Sequence, residues 1–479
     1  MRISLMAATA ALALSACATA PGVDTASAGD SPALAAAAAP SGIQIESQYY
    51  TMPNGLKVVL SRDTSVPTAT VGVYYGIGFR IEPRNRTGFA HLFEHLLFQG
   101  SQNAPKGQFI GSITNAGGAL NGSTRFDYTN YYEVVPSNAL EQVLWLEADR
   151  MARPVINQEV LTNQQGVVAN EVKVNVINQP YGGWPWLDMP QLANTNWHNA
   201  HNFYGELADL EAATVADAQK FFGDFYRPSN AVLVVAGDID YAATRTMIER
   251  YFSTVPSGPP VTMPDIKEPR QTEGKFKIKQ DKLAPRPAYA AAWHVPERNT
   301  PEWYAMGLLD QILAQGQDSR LFEELVRKRN LTGGVQAGIN IGLGNQFNYN
   351  GPMLWTVGLI HDPSKSRDEI TAAIDAVIED IRTRPVSQAE IDRARTKLRS
   401  QLYNLADPST RFGLVDLLAV GALWENDPNW VNGLEAGFNK VTPELLMATA
   451  KEYLRPTNRS ILIVEPAGAA APAKPGASK

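Results

Sequence analysis

Two histidines and a glutamate lie close together near residue 90, within the string Gly88–Phe98 (GFAHLFEHLLF). His91 and His95 are four residues apart, so on a helix they share one face. Two imidazoles placed in this way can hold one zinc ion. Glu94 lies on the same side, where a carboxylate can take up and return a proton. The other positions are apolar, which predicts a buried helix in which unpaired polar groups would be costly. The pattern therefore favours a metal centre over core histidines.

The five-residue pattern His-x-x-Glu-His matches the inverted zinc-peptidase signature. The sequence around it resembles the pitrilysin family, which includes insulin-degrading enzyme and the mitochondrial processing peptidase. The resemblance covers most of the chain and is strongest in the strings MPNGLKVVL, GFAHLFEHLLFQGS, NAGGALNGSTRFDYTNYYEVVP, VVANEV, NQPYG and FYRPSNAVLVVAGD. It implies a zinc metalloendopeptidase of the bacterial two-domain type, with one zinc ion per chain, that hydrolyses extended peptides or small unfolded polypeptides.

The resemblance also implies a third zinc ligand. In the family this ligand is a glutamate roughly 75 residues downstream on another helix, and Glu171 stands at that spacing after His95. Two histidines and a carboxylate leave the fourth zinc position open for water, as in catalytic sites. Glu94 is then the general base that takes the proton of this water and passes it to the leaving amine. Relatives often carry an acidic residue seven positions before the ligand glutamate. Here that residue is Gln164, a neutral amide that can still orient a ligand by hydrogen bonding.

A glycine-rich string, Gly117–Thr124 (GGALNGST), resembles the edge strand to which substrate peptides add by backbone pairing in this family. The resemblance assigns Gly118, Ala119 and Asn121 to substrate binding, with the asparagine hydrogen-bonding the peptide backbone. A bare glycine-rich hairpin is the alternative. Phe98, one turn beyond the second histidine, is expected either to line the first specificity pocket or to pack in the core.

Two sequence echoes indicate that the chain contains two copies of one unit. FYRPSNAVLVV (225–235) and YLRPTNRSILI (453–463) share an Arg-Pro-(Ser/Thr)-Asn core that precedes a strand pattern, and LLFQG (96–100) and ILAQG (312–316) recur in the same order. Strand patterns occur in neighbouring pairs and helix patterns in longer runs. We therefore predict an α+β fold with two homologous domains, each a mostly antiparallel sheet packed with helices, that enclose a cleft.

Individual elements can be placed from the same patterns. Leu56–Ser61 and Ala69–Gly76 are predicted strands, Ala139–Met151 is a predicted amphipathic helix, and Thr87 is the expected N-cap of the histidine helix. The predicted organisation is a signal peptide (1–16), a lipidated flexible tether (17–44), a zinc-binding catalytic domain (45–260), a proline-rich linker (261–271), a homologous domain without metal (272–466) and a disordered tail (467–479).

The second copy lacks the chemistry of the first. The register of LLFQG on ILAQG places Gly307 at the position of His91, Asp310 at that of Glu94 and Gln311 at that of His95. In the family, this half contributes an arginine and a tyrosine seven residues apart that grip the substrate. The matching register here gives Val326 and Gly333, so that pair is not reproduced.

Composition excludes several other classes. The chain of 479 residues has one cysteine, which rules out an intramolecular disulfide or a thiolate metal cluster. A net charge of −6 provides no basic field for nucleic acid. Beyond the amino terminus no run of 18 apolar residues occurs, so no membrane-spanning helix is expected.

The amino terminus, MRISLMAATAALALSAC, has the layout of a secretory signal: Arg2, an apolar stretch, and then Leu-Ser-Ala before Cys17. The last four residues resemble the bacterial lipobox, which implies cleavage before Cys17 and a lipid anchor on that cysteine. Ala18 rather than aspartate follows, which by the same resemblance favours the outer membrane of a bacterial envelope, with the protein facing the periplasm. A plain signal peptide cut near Ala20 is the alternative.

Two functional hypotheses follow. The first is a zinc peptidase whose partner is a peptide. The second is a non-catalytic or weakly active subunit, since relatives pair active and inactive copies and a homodimer or a heterodimer with a related subunit is implied. Retention of His91, Glu94, His95 and Glu171 favours the first hypothesis. His198 and His201 lack an apolar helical frame, which predicts a polar loop over the cleft rather than a second metal site.

Overall fold

The computed structural model describes residues 42–407 and 412–467. Its strands form two sheets. The first contains β1 (Gln48–Thr51), β2 (Lys57–Arg62), β3 (Thr68–Tyr75), β4 (Ala119–Thr124), β5 (Thr129–Pro136) and β6 (Ala231–Gly237). The second contains β7 (Lys275–Asp281), β8 (Ala288–His294), β9 (Gln336–Ile339), β10 (Leu354–Ile360) and β11 (Arg459–Pro466).

Helices surround the sheets. Those of the first half are α1 (Phe89–Leu96), α2 (Gln108–Asn115), α3 (Leu140–Ala152), α4 (Gln158–Val172), α5 (Asp188–Ala193), α6 (Trp197–Ala200), α7 (Leu207–Glu211), α8 (Val215–Phe225) and α9 (Tyr241–Phe252). Those of the second half are α10 (Pro301–Leu313), α11 (Arg320–Phe322), α12 (Arg367–Thr383), α13 (Gln388–Leu405), α14 (Phe412–Val420), α15 (Trp430–Asn439) and α16 (Pro443–Tyr453). A π-helical turn over Lys173–Ile177 continues α4.

The two sheets have the same topology, which confirms the predicted repeat and fold class. The first sheet has the order β1-β2-β6-β3-β5-β4 and the second has the order β7-β11-β8-β10-β9. Apart from β1, each strand has a counterpart at the same position and in the same chain order. The single parallel pair, β2 with β6, also recurs as β7 with β11, and the remaining pairs are antiparallel. The two Arg-Pro-(Ser/Thr)-Asn strings form equivalent 3₁₀ turns before β6 and β11.

Each half places a helix on the sheet of the other half. Helix α5 packs on β7, β8 and β11, whereas α14 packs on β3 and β6. The second contact is close, because a Cβ on Gly72 of β3 would lie 2.6 Å from Cγ1 of Val415. Two hydrophobic cores therefore contain buried residues of both halves, and a third lies within the first half. Exclusion of water from the two shared cores holds the halves together.

The chain between α9 and β7, where the proline-rich linker is predicted, forms no helix or strand. It is nevertheless held in place, because the Glu268 carboxylate accepts hydrogen bonds from the amides of Thr195 and Asn196 (both 2.9 Å). The domain limits remain predictions. The lipobox and most of both predicted terminal segments lie outside the described residues. Within the described ranges, no helix is long and apolar enough to cross a bilayer.

Candidate metal centre

Helix α1 begins at a buried carboxylate. Glu82 accepts hydrogen bonds from the backbone amides of Gly88 (2.9 Å) and Ala90 (2.7 Å), which have no partner within the helix. The N-cap is Gly88, with φ of +80°, and not Thr87 as expected. The Thr87 hydroxyl donates instead to Asp209 (2.6 Å), because it lies against α7 rather than above the first turn. The position of α1 is therefore set by tertiary contacts.

The structure brings the three predicted ligands together. His91 and His95 lie one turn apart on α1, and their Nε2 atoms are 3.3 Å apart. Glu171, on the neighbouring α4, places Oε1 3.6 Å from Nε2 of His91 and Oε2 3.2 Å from Nε2 of His95. The side chain of His91 is buried, whereas that of Glu171 is 30% exposed, so the cluster is open on one side.

These distances fit a zinc ion. Ligands about 2.0–2.1 Å from a tetrahedral zinc stand roughly 3.3 Å from one another. The electrostatics also favour a cation. Hydrogen bonds from the two imidazoles hold the pKa of Glu171 well below its usual range, so its carboxylate is ionised. Burial lowers the pKa of His91, but the hydrogen bond to Glu171 and the charge of Glu94 outweigh burial and raise it overall. A zinc ion at this site would take the place of the proton that these carboxylates favour on His91.

Glu94 is half-buried beside the cluster and contributes no atom to it. Its Oε2 accepts a hydrogen bond of 2.7 Å from Oγ1 of Thr124, at the end of β4. A Cβ on Gly122 would lie 3.2 Å from Cγ of Glu94, so this glycine leaves room for the Glu94 side chain. The contact of Thr124 with Glu94 was not predicted. The two residues are 30 positions apart, a separation that matches no helical or strand period. They meet because β4 packs against α1.

The proposed substrate strand has an open edge. β4 pairs with β5 alone, and Ala119 and Asn121 are exposed on it. The side chain of Asn121 accepts a hydrogen bond from the amide of Gly122 (2.9 Å). A Cβ on Gly118 would lie 2.6 Å from Cγ1 of Val135, so this glycine permits close packing against β5.

Two other predicted residues are partly or fully buried. Phe98 packs against Phe109 and Tyr131 and is half-buried, which favours the core alternative. Gln164 is buried, and its amide donates to Oδ1 of Asn163 (2.7 Å). Within the described ranges, no hydrogen bond joins Gln164 to the three ligands. Its expected orienting contact is therefore not present in this structure.

Tyr204 is a further neighbour of the cluster that the sequence did not indicate. Its hydroxyl donates to Oε1 of Glu171 (3.0 Å), and its ring centroid is 5.0 Å from that of His91. Burial raises the pKa of Tyr204 to about 12, so the phenol keeps its proton. Tyr204 lies in the loop between α6 and α7, far in sequence from both ligands, and no periodicity connects it to them.

The remaining histidines of this region form no polar loop over the cleft. His201 is buried, stacks on Trp197 with ring centroids 4.2 Å apart, and lies 3.4 Å from the Glu82 carboxylate that caps α1. His198 hydrogen-bonds the carbonyl of Arg80 through Nδ1 (2.8 Å). The polar loop predicted from the missing apolar helical frame is therefore wrong, because tertiary packing supplies the partners that the local sequence lacks. Neither belongs to a potential metal-binding cluster among the described residues.

The equivalent place in the second half is filled by amides. Gln311, at the position of His95, donates to Oε1 of Gln401 (3.2 Å) on α13, the counterpart of α4. Asp310 accepts hydrogen bonds from Trp355 (2.7 Å) and Gln315. A Cβ on Gly307 would lie 2.5 Å from Oε1 of Gln346, which occupies the space of the missing imidazole. Among the described residues, His91, His95 and Glu171 form the single cluster that could hold a metal ion.

Comparisons with known proteins agree with this division. The family model described as "Insulinase (Peptidase family M16)" matches residues 57–181, which contain the cluster, and that described as "Peptidase M16 inactive domain" matches residues 212–398. The chain is 25% identical over 426 residues to the zinc protease PqqE of Helicobacter pylori, covering 88% of this chain and 93% of that protein. It is 23% identical over 373 residues to the probable mitochondrial-processing peptidase subunit beta of Arabidopsis thaliana, covering 74% of this chain and 67% of that protein.

A solved structure shows the same fold. The crystal structure of a protease from Helicobacter pylori superposes with a TM-score of 0.81 at 23% identity, covering 88% of this chain and all of that one. Two matched family models, relatives matched over two thirds or more of their length and a shared two-sheet fold agree with one another, and together they cover both halves of the described structure. The chain belongs to peptidase family M16.

Proposed function

We propose that this protein is a zinc-dependent peptidase that hydrolyses peptide bonds of extended peptides or small unfolded polypeptides. The observation that carries the proposal is the ligand geometry: His91, His95 and Glu171 stand at distances that suit tetrahedral zinc, beside a carboxylate that is not a ligand. A closed structural zinc site would use four protein ligands, whereas three leave a position for water. The retained cluster disfavours the alternative of a non-catalytic subunit.

Each residue has a distinct part in the proposed reaction. His91, His95 and Glu171 would hold a zinc ion, which as a Lewis acid would acidify water and polarise the scissile carbonyl. Glu94 takes the proton of the attacking water on its carboxylate and delivers it to the nitrogen of the leaving amine. Thr124 holds Oε2 of Glu94 through its 2.7 Å hydrogen bond and so limits the rotation of the carboxylate.

The substrate would lie along the open edge of β4. A peptide in extended conformation can pair with the backbone of this strand, at Ala119 and Asn121, without displacing another strand. Backbone pairing selects for extended chains and is largely independent of side chains. This mode favours peptides and unfolded segments over folded proteins, whose strands are already paired.

The proposal can be tested by measuring zinc and activity together. We expect about one zinc per chain in purified protein and cleavage of a quenched fluorescent peptide that is abolished by a chelator and restored by added zinc. Protein that contains zinc but cleaves no member of a mixed-sequence peptide library would contradict the proposal. Protein that neither binds zinc nor cleaves would support the non-catalytic subunit.

We also propose that Cys17 carries a lipid that anchors the protein to the bacterial envelope, facing the periplasm and most simply at the outer membrane. The support is the Leu-Ser-Ala-Cys string after an apolar stretch. Cys17→Ala should therefore move the protein from the membrane fraction to the soluble fraction. Activity per mole should not change, because Cys17 is far in sequence from His91, His95 and Glu171. Membrane association of the variant equal to that of the parent would rule out the lipid anchor.

A further inference from the structure

Tyr204 contacts two of the three residues of the cluster. Its hydroxyl donates to Oε1 of Glu171 at 3.0 Å, and its ring packs on the imidazole of His91 with centroids 5.0 Å apart and planes inclined by 39°. Glu171 is the ligand that most needs such support, because its side chain is 30% exposed and the ligand itself lies on a separate helix from the histidines. Asn175 is a weaker second donor to the same oxygen, at 3.5 Å.

Trp186 lies between Tyr204 and the second half of the chain. The ring of Trp186 meets the Tyr204 ring edge to face, with centroids 5.5 Å apart and planes inclined by 68°. Trp186 lies against the turn that follows β9, where a Cβ on Gly342 would stand 2.6 Å from Cβ of Trp186. Gly342 has φ of +82°, so both its conformation and the space around it favour glycine. These contacts connect the second half to the carboxylate of Glu171.

We propose that Tyr204 is a positioning residue that holds Glu171 in the geometry required for zinc, and that Trp186 fixes Tyr204 against the second half. The inference rests on the proposed zinc site and adds to it a residue outside the ligand set. A hydrogen bond donated to a ligating carboxylate fixes the orientation of its oxygen. The carboxylate then loses less rotational freedom when the metal binds. Through the same contacts, the second half of the chain contributes to zinc binding in the first half.

The variant that tests the first part is Tyr204→Phe, which removes the hydroxyl and keeps the ring. We expect zinc affinity, measured on the full-length mature protein by competition with a chromophoric chelator, to fall about 10–100-fold. The thermal midpoint of the zinc-free protein should not change. Activity should return when zinc is added above the weakened dissociation constant, which separates a positioning residue from one that takes part in the reaction.

Tyr251→Phe is a matched control. It also removes a tyrosine-to-glutamate hydrogen bond, from Tyr251 to Oε1 of Glu141 (2.8 Å), in the same half but away from the cluster. Its zinc affinity should equal that of the parent. If Tyr204→Phe binds zinc as tightly as Tyr251→Phe, the positioning role of Tyr204 is wrong.

The second part is tested by a double-mutant cycle. Trp186→Ala should weaken zinc binding in the parent chain. In the Tyr204→Phe chain the same substitution should have a much smaller effect, because the Tyr204 hydroxyl through which Trp186 acts is already absent. Equal effects in both chains would show that Trp186 does not act through Tyr204. If the alanine variant fails to fold, Gly342→Ala replaces it in the cycle, since the added methyl group displaces Trp186 from the other side.

The outcomes distinguish this inference from the proposed function. A parent protein that binds zinc and cleaves peptide, with an unchanged Tyr204→Phe variant, overturns only the inference. A parent protein that binds no zinc overturns both. A parent that binds zinc, together with the expected loss in Tyr204→Phe and none in Tyr251→Phe, supports both the metal site and the positioning residue.

Discussion

Glu94→Gln is expected to keep zinc bound and to lower peptide hydrolysis by about 10²–10⁴-fold, the usual contribution of a general acid–base group. The glutamate contributes no atom to the ligand cluster, so its replacement should leave the metal stoichiometry near one. Glutamine has almost the same shape and keeps an oxygen that can accept the hydrogen bond of Thr124. The amide cannot take a proton from water at neutral pH, so the chemical step alone should be lost.

The measurement is kcat on a quenched peptide together with the zinc content of the same sample. Glu159→Gln is a suitable control, because it makes the same exchange at an exposed position near the start of α4. Its activity and zinc content should equal those of the parent. Loss of zinc from Glu94→Gln would mean that Glu94 is a ligand and that the roles are assigned wrongly. Retained activity would mean that another group moves the proton.

His95→Ala should remove both metal and activity. The substitution deletes one of three ligands and leaves His91 with Glu171, so zinc affinity should fall by more than the roughly 10–100-fold that follows loss of an outer partner. Hydrolysis should fall to the background of the assay. Because His95 is half-buried at the surface of α1 and its backbone is helical, alanine should preserve the helix.

The control for this substitution is His198→Ala, which removes another half-buried imidazole of the same half that lies outside the metal cluster. It should keep the zinc content of the parent. Zinc content is measured after dialysis against metal-free buffer, and circular dichroism checks the fold. A His95→Ala protein that still holds one zinc per chain would show that the metal is bound elsewhere.

The local part of the site could be predicted from the sequence because a helix repeats every 3.6 residues. That period alone places His91 and His95 one turn apart with Glu94 beside them, and the structure has them there. The repeat was also predictable, since the two Arg-Pro-(Ser/Thr)-Asn strings form the same turn before the same strand of each sheet. The predicted strands and helix of the first half agree with β2, β3 and α3 to within one residue at each end.

Glu171 is an intermediate case. Its position could be named only through the family resemblance, because nothing in its own helix distinguishes it from a solvated glutamate. The packing of α4 against α1 brings its carboxylate to the two imidazoles. The same resemblance suggested Gln164 as an orienting residue, and there the structure has a contact with Asn163 instead.

The local sequence was enough to identify His91, Glu94 and His95 as candidate site residues, whereas the residues that contact the site follow from the tertiary packing. Thr124 reaches Glu94, Tyr204 reaches Glu171, and Glu82 caps the metal helix, all across contacts between elements that are distant in the chain. Such contacts depend on the register of strands and on the packing of loops, and these are set by the sum of many weak apolar contacts rather than by any local pattern. The packing of α5 and α14 on the sheet of the opposite half has the same origin, because each helix buries apolar side chains there.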